Sequence, residues 1–240
     1  MKKLLAVVLA LCLLVPVLAA AQEEKKESSF EIYSKDQSPE NFINAYNEYN
    51  AQMKDTANYD AAAMLAWLNY YELEKTLEML KENTANLTSM NKFQFANILL
   101  EIGRYDEAIP LYEQLNKETP EWSCPWRHKG TAFWKKGEYD AAVTALQKAI
   151  ETRKEHYDAY VVLAQVYKDM KQYKKGVKTL EEGLTYYGKD IEDPEREQST
   201  IDVQFLYLEL LKKAGEKAKY QEQLDKVRKL APDDERLKQY

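Results

Sequence analysis

Few residues of this chain suit chemistry. Among 240 residues there are two Cys, two His, seven Gly and seven Pro. One of the two Cys, Cys12, lies in an apolar leader, so Cys124 is left without an internal disulfide partner and the fold must rest on packing. No Gly-rich phosphate loop, no Gly-x-Ser-x-Gly turn and no His-Glu-x-x-His pair occurs. His128 and His156 are 28 residues apart, too few and too scattered for the three or four ligands of a zinc site. The expectation is therefore a non-enzyme without metal or cofactor. An excess of positive charge is also missing. The formal net charge is −6, which disfavours nucleic acid or an anionic membrane surface as the main partner.

The long apolar runs are confined to the beginning. "MKKLLAVVLALCLLVPVLAAA" combines Lys2 and Lys3, an apolar stretch interrupted by Pro16 and an Ala-x-Ala finish. Residues 1–21 are expected to be a secretory signal cut near Ala21, placing the protein in the periplasm or outside the cell. An uncleaved anchor is the alternative, since the run from Leu4 is about long enough to span a bilayer. Residues 22–37 are charged and polar and are expected to form a flexible tether.

What the chain does have is repetition. "GRYDEAI" returns as "GEYDAAV" after 34 residues, a third copy follows at the same interval as "LAQVYKDMKQYKKGVKTLEEG", and a fourth comes 44 residues later, after a charged insert. Ala96, Gly130 and Ala164 form one small-residue column, and Ala108, Ala142 and Gly176 a second. Small residues at such places let two antiparallel helices approach closely. Bulky residues at spacings of three, four and seven mark the buried stripes of amphipathic helices. Gly103, Gly137 and Gly215 share a turn column with Lys171; glycine there closes a helix in the left-handed conformation.

A helix–turn–helix unit of 34 residues with these columns resembles the tetratricopeptide repeat family. The resemblance implies an all-α fold, a right-handed superhelical solenoid of antiparallel helix pairs. Four repeats are expected over 89–234: 89–122, 123–156, 157–190 with an insert to 200, and 201–234. The fourth departs from the pattern at Leu208 and Tyr220, where small residues are expected. Residues 38–88 read as a leading helical hairpin or degenerate repeat, with Ser38 capping a helix that starts at Pro39. Residues 235–240 read as a C-terminal cap.

The same register assigns "WSCPWRHKG", residues 122–130, to a helix entry with Ser123 as its cap and Pro125 at its start. Cys124 and His128 share a helix face there without any oxyanion cradle.

First helices line the inner wall of such an array. Groove-facing positions expected to bind a partner are Phe93, Asn97, Arg127, Trp134, Lys135, Gln165, Lys168 and Lys212. Phe93 and Trp134 would be apolar anchors, and the cations would favour an acidic or carboxylate-bearing segment. Some tetratricopeptide proteins hold a C-terminal carboxylate with a set of Lys, Asn and Arg. Asn97 matches one member of that set, but Phe93, His128, Asp158 and Val162 stand in the other slots, so that ligand is not expected. The chain reads as an exported adaptor for a protein or peptide, in bacterial envelope assembly or organisation. The alternative is a small-molecule or transporter-associated binding protein.

Overall fold

The computed structural model describes residues 27–52, 58–186 and 194–240. The expected signal peptide and its cleavage point, and residues 187–193 where the charged insert begins, lie outside the described residues. Every regular element among the described residues is helical. The α-helices are α1 Ser29–Lys35, α2 Pro39–Gln52, α3 Tyr59–Glu82, α4 Ser89–Glu101, α5 Tyr105–Glu118, α6 Ser123–Lys136, α7 Tyr139–Thr152, α8 Tyr157–Asp169, α9 Tyr173–Leu184, α10 Pro194–Ala214 and α11 Lys217–Leu230, with short 3-10 turns at Thr84–Asn86 and Glu235–Gln239. Contacts divide the chain into two units, Met1–Glu78 and Met79–Tyr240.

In the first unit, Ser38 accepts a hydrogen bond from the Asn41 amide at 3.3 Å, so it caps α2. The expectation of a tether over 22–37 needs correcting from Ser28 onward. Ser28 and Glu31 form a reciprocal capping box that starts α1. Tyr33 is then fully buried with Ala45 of α2 and Leu68 of α3. Its ring meets Phe42 and Tyr71 edge-on at 5.9 and 6.4 Å. Two aromatic residues, Phe30 and Tyr33, outweigh the polar average of the segment because one turn of helix puts both against the helices that follow.

The second unit is a stack of helix pairs, α4–α5, α6–α7, α8–α9 and α10–α11. Each first helix ends in the same way. Gly103, Gly137, Lys171 and Gly215 have φ of 80°, 82°, 58° and 79°. The residue after each donates back to the carbonyl five positions earlier, Arg104 to Leu99, Glu138 to Phe133, Gln172 to Tyr167 and Glu216 to Leu211, at 2.8 to 3.1 Å. This is the Schellman closure, which satisfies carbonyls that a helix end would otherwise leave open. Lys171 adopts it despite its side chain.

The small columns sit where helices touch. A methyl placed on Gly130 would lie 2.6 Å from Leu146 Cγ, and one on Gly176 would lie 2.7 Å from Leu210 Cδ2. In the fourth pair, Leu208 is fully buried beside Leu224 and Val227, with Tyr220 packed against them. Larger side chains fill that seam instead of a close helix contact. The fourth pair also begins earlier than expected: α10 runs from Pro194, so part of the insert before residue 201 extends its first helix. Proline at that first position gives up an N–H that has no helical partner anyway.

The helix entry at residues 122–130 is corrected in one detail. Ser123 is a helical residue, 3% exposed, and α6 has no side-chain cap. Pro125 still falls within the first turn.

Candidate binding surface

The residues expected on the inner wall lie on α4, α6, α8 and α10. Phe93 is buried, 8% exposed. Its ring packs on Trp122 at 4.7 Å, His128 at 5.0 Å and Tyr112 at 6.1 Å. The ring that was expected as an exposed anchor thus belongs to the joint between the first two pairs, because the entry to α6 folds down over it. Asn97, half-buried, accepts a hydrogen bond from the Tyr112 hydroxyl at 2.8 Å and ties α4 to α5.

Trp134, Lys135 and Gln165 form a second group. Trp134 is half-buried, and its Nε1–H donates to Asp169 Oδ2 at 2.7 Å. Gln165 donates to the other oxygen of Asp169 at 3.3 Å. Lys135 is exposed, with its ammonium 4.5 Å from the Trp134 ring centre. Such a contact contributes about 0.5–1 kcal/mol at an exposed site. Asp169 was not foreseen. It ends α8 one turn after Gln165 and links α6 to α8.

Gln165 and Lys168 also line a third feature, a cavity of about 300 Å³ bounded further by Asp202, Phe205, Leu206, Glu209, Arg236, Gln239 and Tyr240. Lys168 Nζ pairs with Glu209 Oε2 at 3.0 Å, joining α8 to α10. The C-terminal turn covers the wall of α10. The Arg236 guanidinium lies 4.0 Å over the Phe205 ring, and the Tyr240 ring centre is 6.1 Å from it. Lys212 Nζ is 4.8 Å from the Tyr240 ring centre and donates to the Gln239 carbonyl at 3.3 Å. The cavity therefore has balanced charge, with Arg236 also meeting Asp202 and Asp234 at 2.8 and 2.7 Å. The bonds from Arg236 hold the Asp234 carboxyl at about 2.

Around Arg127 the balance is different. Arg127 is half-buried and its terminal nitrogen donates to the neighbouring His128 Nε2. Burial first, then the Arg127 charge, push the His128 ring down to about 3, and the same two causes push His156 down to about 4. Both rings are neutral at pH 7. Cys124 is a free, half-buried thiol. Among the described residues no three of His, Cys, Asp and Glu gather closely enough to hold a metal.

Family models described as tetratricopeptide repeat match residues 94–121 and 133–194. The chain carries tetratricopeptide repeats. The matched segments fall on α4–α5 and on α6 to α9, the pairs whose turns and small columns are most regular. The tetratricopeptide fold is a scaffold for protein interaction, its stacked pairs offering an extended surface rather than a closed active site. MamA of Desulfovibrio magneticus RS-1, from residue 41 onward, is a similar solved structure, with TM-score 0.55 and 18% identity over 80% of this chain and 97% of that one. TTC0263, a thermophilic tetratricopeptide protein of Thermus thermophilus, is similar at TM-score 0.50 and 19% identity, over 82% and 95%. YrrB, described as a tetratricopeptide protein with an unusual peptide-binding site, has TM-score 0.50 and 19% identity over 65% and 74%. At these identities the likeness is one of fold. No curated protein matches the sequence.

Proposed function

We propose that the chain is an exported adaptor that binds a partner protein or peptide along its first-helix wall, in assembly or organisation of a bacterial envelope. The observation that carries this reading is the wall between α6 and α10. There, half-buried Trp134 with Lys135 stands beside a cavity of about 300 Å³ that Gln165, Lys168 and Phe205 help to line. An aromatic ring with a cation over it, next to a depression, suits an extended peptide. The unusual peptide-binding site of YrrB supports the same use of the fold. The leader and the acidic chain agree with export and with a protein partner.

Capture from bacterial envelope extract tests the reading. Wild-type protein is expected to retain a partner that the Trp134→Ala, Arg127→Glu double variant loses. Equal recovery by both removes the wall from consideration.

A second reading, a small-molecule binder, draws on the same cavity, whose volume lies at the lower edge of ligand sites. Thermal-shift screening against metabolites separates the two: stabilisation by one compound, with no protein captured, favours it.

A further inference from the structure

Residues 171–178 break three local rules at once. Lys171 holds φ of 58° in a turn column where the other pairs place glycine, a conformation that a side chain opposes. Lys174 and Lys175 stand in the first turn of α9, where the positive end of the helix dipole repels a cation. The matching turns carry acids instead, Asp106 and Glu107 in α5 and Asp140 in α7. Lys171 with Lys175, and Lys174 with Lys178, are four residues apart, so like charges meet along the helix. Packing does not ask for these choices. The buried side of α9 is Gly176, Val177, Leu180 and Gly183, and at about 3.6 residues per turn the lysines lie across the helix from it.

All four lysines are exposed, and among the described residues none is in an ion pair. Lys175 has only the Tyr167 ring, at 5.6 Å. By contrast Lys136 meets Asp106 and Glu138 at 2.6 and 2.7 Å, and Lys219 takes Glu181 at 2.6 Å. Leu210 of α10 seats against Gly176, which brings the next turn to the same edge of the stack, and exposed Lys213 and Lys217 flank that turn. A chain of net charge −6 thus gathers uncompensated positive charge on one face, away from the first-helix wall. We infer that this face docks on a bilayer bearing anionic lipid headgroups. The cations are all lysine, and an ammonium lacks the planar fork that grips one carboxylate or phosphate in register. The cavity of about 300 Å³ is lined by other residues, so the stripe stands on open surface. No exposed aromatic ring alternates with the four lysines, as stacking on nucleic-acid bases would need. Clusters of about four to eight basic residues on the outward side of an amphipathic helix suit a fluid array of headgroups. Val177 and Leu180 are packed against Ala164 and Leu210, so the contact is adsorption and not insertion. The acidic remainder of the chain orients the molecule, because only this face is attracted. The docking face stands whether or not the first-helix wall binds a partner.

Co-sedimentation of the complete chain with vesicles tests the docking face, using phosphatidylcholine alone and phosphatidylcholine with about 30% phosphatidylglycerol. Wild type is expected to bind the anionic vesicles at least about tenfold more tightly. A triple variant, Lys174→Gln, Lys175→Gln, Lys178→Gln, is expected to lose at least about tenfold in that affinity. Its urea midpoint is expected to hold or rise, because the unfavourable charges are gone. The same three positions changed to Arg are expected to keep the binding. A control, Lys117→Gln, Lys148→Gln, Lys229→Gln, alters net charge equally at exposed sites elsewhere and is expected to bind as wild type does. The leader is common to all these proteins, so it produces no difference among them. Equal binding to both kinds of vesicle overturns the dock. So does a Gln triple that binds like wild type, an Arg triple that does not bind, or a control that loses as much. A Gln triple that unfolds earlier in urea assigns the lysines to the fold and overturns it too. Retention of polyglutamate or of a DNA duplex by wild type, with the vesicles left unbound, gives the face to a soluble acidic partner and overturns the bilayer.

Discussion

A methyl group added at Gly183 would stand 2.5 Å from Cβ and 2.9 Å from Cγ of Tyr160. Carbon atoms in contact settle at about 3.5–4.0 Å, so roughly 1 Å of separation must be found between α8 and α9. Tyr160 cannot supply it by changing rotamer, because Cβ is fixed to its backbone and the side chain is 1% exposed. Overpacking of this kind costs about 1–3 kcal/mol, and rigid atoms put Gly183→Ala near the top of that range. Replacing Gly by Ala in a helix returns up to about 1 kcal/mol, less here because Gly183 is the penultimate residue of α9. The net expectation is a loss of about 2 kcal/mol. At Gly176 the close atom is a terminal methyl, Leu210 Cδ2 at 2.7 Å, which can move; the net loss there is expected to be about 0.5 kcal/mol. Gly130 faces Leu146 Cγ at 2.6 Å and falls between the two. Urea unfolding followed by helical ellipticity gives the order, and hydrogen exchange in α8 and α9 locates the loss, since stacked repeats can open in segments. A Gly183→Ala protein as stable as Gly176→Ala would refute the argument that rigid contacts decide.

Other outcomes follow from the same structure. Lys171→Gly relieves a left-handed residue in a column otherwise filled by glycine, and should raise the unfolding free energy in urea by about 0.5–1 kcal/mol; a fall would show that the lysine side chain contributes more than the strain costs. The Lys92 side chain is 4% exposed and its ammonium meets both oxygens of Glu118 at 2.8 and 3.0 Å. Glu118→Gln leaves that charge uncompensated and is expected to cost about 2 kcal/mol in the same assay, less than for a fully enclosed pair because Glu118 is 37% exposed. His128 and His156 titrate at about 3 and 4 in the fold, below the ordinary 6.5. The unfolded chain therefore binds more protons below pH 6.5, and stability that is complete above that pH declines as the pH falls towards 4. Between pH 7 and pH 5 the loss should reach about 2 kcal/mol for each ring, and about 3–4 kcal/mol for the two together. The His128→Gln, His156→Gln double variant should show a flatter profile, and an unchanged slope would rule the rings out as its source.

The repeated helix pairs were legible in the chain because their signals are local. A turn glycine two residues before Tyr105 or Tyr139 and a small residue every 34 positions act within one pair, and the structure uses them so at Gly103, Gly130 and Gly137, whereas Gly176 faces Ala164 of its own pair and, more closely, Leu210 of the next. Lys171 holds the same turn because the backbone bonds on either side enforce it. Exposure was not legible. Period shows which face of a helix Phe93 or Phe205 occupies, but Trp122 covers the first and Arg236 with Tyr240 the second. Those covering groups come from the next helix entry or from the end of the chain. Ser28 to Asp36 failed as a tether for a related reason: two aromatic residues decide a short helix once partners are present, and composition averages them away. His128 and His156 make the same point. Their rings are held neutral by burial that only the packed chain supplies, because desolvation belongs to a place in the fold and not to a residue type.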